Sequence, residues 1–274
     1  MTATIIAVGC AALLGTVFFS LRYAWWRRPV DYRRPRILMY HMIRERLPGG
    51  RFNKLRVAPA EFERQLKWLL DNGWQFAFLS ELADVAGNPK TVVLTFDDGY
   101  RDNYTAAHPL LVKYGAKATL FLVVDRFDRD WSTTKKAHHD SGELMREPKL
   151  SDAEVRAMLD SGIWELAAHT TTHALLPDLA EADKHHEVAG ARVVLEDTFE
   201  TEVSSFAYPF GIFTDDDVAA VANANYRYAV TTDAGISPDP HADALRLKRV
   251  KVSGKEGGLG FSIRLRAGKR GVLD

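Results

Sequence analysis

Residues 91–124 read TVVLTFDDGYRDNYTAAHPLLVKYGAKATLFLVV. The opening TVVLTF is apolar and rich in β-branched residues, with no alternation, as expected of a strand buried on both faces. Residues 103–114 then predict a helix that stops at Gly115, and ATLFLVV predicts a second buried strand. Strand, helical crossover and strand make one βαβ unit, which demands parallel pairing. The same alternation extends outward in both directions. RILMYHMI (36–43) and residues 75–79, 163–168, 204–207, 228–231 and 247–252 predict further strands. Residues 59–72 predict a helix opened by Pro59 and stopped at Gly73. Ser151 opens another helix with a capping-box spacing to Glu154, and residues 181–199 and 214–225 add two more, the last capped by Thr214. Seven or so such units favour a closed α/β barrel over an open sheet, with its chemistry at the carboxyl ends of the strands.

The chain has 274 residues, 46% of them hydrophobic and 26% charged, which excludes a wholly disordered or polytopic membrane protein. Its one cysteine, Cys10, excludes an intramolecular disulfide. The formal net charge is zero, which argues against a nucleic-acid-binding protein. That zero is a sum of unlike parts. Residues 22–56 hold eleven basic and two acidic residues, residues 246–270 nine and one, and residues 57–245 carry a net −16.

Residues 3–21, ATIIAVGCAALLGTVFFSL, carry no charge and are long enough to span a hydrocarbon core. Tyr23, Trp25 and Trp26 follow as interfacial aromatics would. The chain starts MTAT, without the basic residues that open a signal peptide, and the arginines come after the apolar run. These features favour a single membrane anchor (residues 1–26), with Cys10 as a small apolar residue in lipid, followed by a basic linker (27–35). The barrel would occupy residues 36–252, and a basic tail residues 253–274. The positive-inside rule puts the arginine-rich side, and with it the barrel, in the cytoplasm, on the inner face of the cell membrane, the alternative being periplasmic or extracellular work on a polymer.

Three polar clusters fall at predicted strand ends. Asp97 and Asp98 follow TVVLTF, His169 and His173 follow IWELAA in HTTTH, and His41 follows RILMY. Adjacent carboxylates at a strand end need a cation or a shared proton. One carboxylate and two histidines suit Zn²⁺ or a similar divalent ion with open positions, provided that HTTTH is helical and brings both imidazoles to one point. The second carboxylate could then deprotonate water.

TFDDGY followed about seventy residues later by HTTTH resembles the polysaccharide deacetylase (NodB-homology) superfamily, over residues 36–252 or so. The resemblance implies a distorted (β/α)7-type barrel and a metal-dependent hydrolase that removes N-acetyl or other small acyl groups from sugars. By position it implies Asp97 as general base and Asp98, His169 and His173 as ligands of a divalent ion, Zn²⁺ first, Co²⁺ or Ni²⁺ compatible. The third family motif, Arg-Pro-Pro-Tyr-Gly-like, reads Ala207-Tyr208-Pro209-Phe210-Gly211 here. It implies Phe210 as a backbone oxyanion donor, and Tyr208, Pro209 and Tyr100 as substrate-binding residues. The motif's arginine is replaced by Ala207, so the partner that orients Asp97 must come from elsewhere, with Arg249 as the candidate against a surface cation.

The chain also has no histidine after His241, where the family usually supplies its general acid. Leu38-Met39-Tyr40-His41 resembles the branch of the poly-β-1,6-N-acetylglucosamine deacetylases, in which a histidine after the first strand is the acid and the third motif lacks its arginine. His41 is then the acid. His138–His139 and His185–His186 are expected as loop and helix-surface residues, and His108 and His241 as turn residues. The expected partners are an acetylated amino-sugar glycan, with a lipid-linked one in view, and a membrane reached through the N-terminal helix and the two basic ends. In a closed barrel those ends would form one basic face, with residues 257–270 as an interfacial segment. The rival reading is a catalytically weak glycan-binding partner in a membrane biosynthetic complex.

Overall fold

The computed structural model describes residues 2–129, 131 and 141–272. His138 and His139 lie outside the described residues. Seven parallel strands close into a ring: β1 (Arg36–Tyr40), β5 (Thr91–Asp97), β6 (Ala118–Leu122), β7 (Trp164–Ala168), β8 (Ser205–Ala207), β9 (Tyr228–Ala234) and β10 (Leu247–Lys251). Closure is made by β1, which pairs with β10 (Leu38 opposite Val250) and with β5 (Ile37 opposite Val93). The ring is distorted at β5. Its first residues pair with β4 (Gln75–Ala77), while Leu94 to Asp97 pair with β6. Met42–Ile43 (β2) leaves the barrel to pair with Arg56–Val57 (β3), so RILMYHMI is two strands rather than one, broken at His41.

Three expected helices start or stop where their cap signals lie. α2 (Pro59–Asp71) begins on a proline and is followed by Gly73 at φ 75°. α3 (His108–Tyr114) ends on Gly115 at φ 59°, and α4 (Asp152–Asp160) carries the full Ser151–Glu154 capping box. The helix expected over 103–114 instead opens with a π-turn, residues 103–107. The long helix over 181–199 is likewise split by a π-turn between α5 (Glu181–His185) and α6 (Ala191–Phe199). α7 (Asp215–Asn223) has a second capping box, Thr214 with Asp217. His108 is not a turn residue but the first residue of α3, and its Nδ1 accepts from the Trp164 indole at 3.1 Å.

The barrel interior is filled by Ile37, Val93, Phe121, Ala167, Ala207, Val230 and Leu247, and the larger core lies between strands and helices. The basic C-terminal segment folds as α8 (Gly258–Ala267), which buries Phe261, Ile263 and Leu265. The single basic face expected of the two ends is reduced, because Arg36, Arg56, Arg249 and Arg264 are buried and answer internal partners. α1 (Thr2–Tyr23) is long and apolar enough to cross a membrane, and none of its 18-residue apolar window is buried.

Candidate active site

Asp97 is the last residue of β5 and Asp98 the first beyond it, so the two carboxylates leave the strand end in different directions. Asp98 adopts φ 77°, and Gly99 follows at φ 70°, where an added Cβ would sit 2.5 Å from Leu122 Cδ1. His169 follows β7. HTTTH is not helical: Thr170 (φ 67°) and His173 (φ 59°) are left-handed, and the resulting turn brings the two imidazoles together. Phe210, in the third motif, is left-handed as well, at φ 60°. Left-handed non-glycine residues cost roughly 1–3 kcal/mol each and concentrate where a site over-determines the backbone.

His169 Nε2 lies 3.3 Å and His173 Nε2 3.4 Å from the same oxygen, Asp98 Oδ1. The donor atoms of the three residues all lie within 4.8 Å of one another, and all three side chains are buried. His169 Nδ1 donates to the Ala207 carbonyl at 2.8 Å, which orients the ring so that Nε2 faces Asp98 and would be the atom offered to an ion. Among the described residues His173 Nδ1 has no such hydrogen bond, and the ring is held between those of Trp131 (4.7 Å) and Phe210 (4.5 Å). One carboxylate oxygen facing two imidazole nitrogens fits a divalent ion. Burial pushes the Asp98 carboxyl up, but hydrogen bonds from His169 and His173 outweigh it and hold the group well below its ordinary value.

Asp97 faces a different partner. Arg249, fully buried on β10, sets Nη1 and Nη2 on the two Asp97 oxygens, each at 2.7 Å. The same guanidinium donates to the Thr231 carbonyl (2.8 Å) and to Thr95 Oγ1 (3.1 Å), so the fork cannot turn. Burial raises the Asp97 pKa, and the charge and hydrogen bonds of Arg249 more than reverse that, leaving a net downward shift. His41 Nε2 stands 3.9 Å from Asp97 Oδ2. Its side chain is 15% exposed against 3% for Asp97, so it stands nearer the mouth of the site.

One cavity joins these groups. His41, Asp97, Asp98, His169 and His173 line it together with Tyr208, Phe210 and Thr232. Leu55, Trp131 and Leu144 complete an apolar wall that the sequence did not single out. Gly211 is forced by this packing, since a Cβ there would meet Thr232 Oγ1 at 1.8 Å. Two of the expected substrate-binding residues are committed to the fold. The Tyr208 hydroxyl donates to the Leu245 carbonyl (3.0 Å), so only the rest of the residue faces the cavity, and Pro209 is buried. Tyr100 is buried behind Asp98, and Lys149 Nζ sits 4.3 Å from the centres of both the Tyr100 and the Trp131 rings. Burial pushes the Lys149 pKa down to about 8.

Comparison with known proteins gives the same family as the two motifs. The polysaccharide deacetylase family model matches residues 84–229. YxkH of Bacillus subtilis (strain 168), named as a polysaccharide deacetylase, is 32% identical over 243 residues, covering 87% of this chain and 78% of that protein. A poly-beta-1,6-N-acetyl-D-glucosamine N-deacetylase of Staphylococcus epidermidis is 26% identical, covering 79% of this chain and 78% of its own length. The crystal structure of a polysaccharide deacetylase from Bacillus cereus superposes with a TM-score of 0.72 at 30% identity, over 85% of this chain and 69% of that one. The seven-stranded barrel, the paired aspartates at the end of β5 and the two histidines after β7 thus belong to a chain that is a member of the polysaccharide deacetylase family.

Proposed function

We propose that this protein hydrolyses the N-acetyl amide, or another small acyl amide, of an amino sugar in a glycan. The observation that carries the reading is the Arg249 fork on Asp97, with His41 facing the same carboxylate and Asp98, His169 and His173 in the same cavity. Asp98, His169 and His173 would hold a divalent ion, Zn²⁺ first and Co²⁺ or Ni²⁺ compatible, which would supply Lewis-acid chemistry for the acyl group and for water. The chain supplies the rest. Asp97, fixed and kept ionised by Arg249, takes the proton of the attacking water. The Phe210 N–H, on its left-handed turn, is the oxyanion donor. His41, nearest the mouth, gives a proton to the departing sugar amine. Leu55, Leu144, Trp131 and the Phe210 ring offer apolar contact to a methyl group, which suits acetyl.

The protein acts, in this reading, beside a membrane that α1 crosses once. The basic residues after α1 support a barrel on the cytoplasmic side. The decisive experiment is acetate release from acetylated glucosamine oligomers after chelation and readdition of Zn²⁺. Asp97→Asn with near wild-type turnover refutes the base. A metal-loaded protein that binds these glycans and releases nothing makes it a binding module.

A further inference from the structure

The opposite end of the barrel is tied to α1 by a dense set of hydrogen bonds. The Val272 N–H donates to the Leu21 carbonyl and the Val30 N–H to the Arg266 carbonyl, each at 2.9 Å. Arg266 donates to the Trp25 carbonyl. Arg36, at the start of β1, spends its guanidinium on the carbonyls of Val30, Asp31, Arg34 and Leu265. Burial among them pushes its pKa down to about 10. The segment between helix and barrel is therefore a fixed elbow, not a free linker.

A groove opens beside that elbow. Trp25, Tyr32, Trp68, Trp74 and Leu259 line it, and Lys90 and Arg266 stand in the same wall. Trp25 is 54% and Leu259 52% exposed, and Trp26, also exposed, adjoins them. Amphipathic aromatics flanked by cations, continuous with an exposed apolar helix, are the residues that settle at the headgroup level of a bilayer. Exposed Arg22, Arg28 and Arg33 in the same stretch favour anionic headgroups.

We propose that this end of the barrel is seated on an anionic phospholipid bilayer, so that the active site points away from the membrane and acts on an extended glycan. The proposal rests on the reading of α1 as a membrane span and on the deacetylase reading above. Strand direction supplies the geometry. β1 starts at Arg36 beside the elbow and ends at Tyr40, with His41 next. Five residues at about 3.3 Å each put the site roughly 15 Å further along the strand than the elbow. The first sugar on a lipid carrier, held at headgroup level, lies at the wrong end of the barrel, whereas an acetamido group well along an oligomer or polymer can reach the site.

The test uses the full chain in phosphatidylglycerol–phosphatidylcholine liposomes with Cys10→Ser as background. Spin labels are placed through Leu259→Cys, in the groove, and Met145→Cys, an exposed position beside the cavity wall at Leu144. The expected result is a label at 259 that is more accessible to oxygen than to a water-soluble nickel chelate, and the reverse at 145. A label at 259 as aqueous as that at 145, in a chain that floats with the liposomes, overturns the docking and leaves the anchor standing. A chain that does not float overturns both. In the same liposomes, acetate release per acetyl group should be at least tenfold faster from a soluble acetylated glucosamine oligomer than from a single lipid-linked N-acetylglucosamine. Equal rates overturn the substrate class. Release from neither overturns the deacetylase reading, while the label result still decides the docking.

Discussion

Arg249→Met removes one partner of a buried ion pair and leaves the volume nearly filled. In the intact protein burial raises the Asp97 carboxyl and Arg249 pulls it below its ordinary value. Without Arg249 the burial remains, and the carboxyl is expected above the ordinary value of about 4. The sign of the pH dependence follows. The depressed carboxyl of the wild type stabilises the fold above about pH 4, and that contribution is lost as pH falls through the folded pKa. In the variant the folded state holds a proton that the unfolded chain releases, so stability falls as pH rises from about 4 towards the new pKa. The gap between the two proteins is therefore smallest below the depressed wild-type pKa, is already partly open near pH 4, and widens further towards the raised pKa of the variant. Its ceiling is about 3–5 kcal/mol, the usual cost of orphaning a buried charge. At roughly 2–4 °C per kcal/mol for a domain of this size, that is a Tm deficit of about 6–20 °C. Urea unfolding of the metal-free protein from pH 5 to pH 8 measures it. The same proton silences the base, so kcat/KM at neutral pH should fall by about 10²–10⁴, with the acid limb of the rate profile moved to higher pH. Arg249→Lys keeps the charge but loses the fork, and should restore most of the pH behaviour but only part of the rate. A stability gap that is equal at every pH, with an unmoved acid limb, would mean that Arg249 merely packs the barrel.

His169→Ala and Asp98→Asn should lose both bound metal, read by elemental mass spectrometry, and activity. His41→Ala should keep its metal while kcat falls by about 10²–10⁴, and parallel loss of metal would make His41 a ligand instead of the acid. Gly211→Ala places a Cβ 1.8 Å from Thr232 Oγ1 at φ 66°. It should lower Tm and activity together, and Thr232→Ala added to it should recover only part, because the backbone strain of about 1–3 kcal/mol remains. Alkaline phosphatase fused after residue 274 should be inactive in the bacterial host, and an active fusion would refute the cytoplasmic placement.

The strands of the barrel were legible because buried parallel strands are continuous apolar runs, and TVVLTF and ATLFLVV are such runs. The cluster that could hold a metal was legible for a related reason: Asp98 and His169 directly follow the strands β5 and β7, and His173 is four residues beyond His169. The way HTTTH converges was misread, because it depends on left-handed Thr170 and His173, and nothing in three threonines and a histidine announces positive φ. The apolar wall escaped for another reason. Leu55, Trp131 and Leu144 come from irregular segments whose place is set by tertiary contacts such as Trp131 on His173. Arg249 lies between these cases. The missing motif arginine made it a candidate, but LKRVKV reads equally as a surface strand, and only the pleat decides that Leu247 and Arg249 point inward while Lys248 points out.

Ring closure turns that pleat into function. β1 lies between β5 and β10, so the strands that carry Asp97 and Arg249 are separated by one strand in space and by 152 residues in sequence. Ala207, where the family's arginine would stand, leaves the interior of β8 small, and its carbonyl is occupied by His169 Nδ1. The positive charge enters from β10 instead, beneath Asp97, where Thr95 and the Thr231 carbonyl absorb its remaining donors. A buried guanidinium is tolerable only when paired, and a buried carboxylate stays ionised only when paired, so each makes the other affordable. Asp98 has no such guanidinium partner among the described residues, and faces the His169 and His173 imidazoles instead. With Asp97 and Arg249 already paired, Asp98, His169 and His173 are the groups that would hold a divalent ion. An arginine two strands away from the motif position thus gives Asp97 its paired cation.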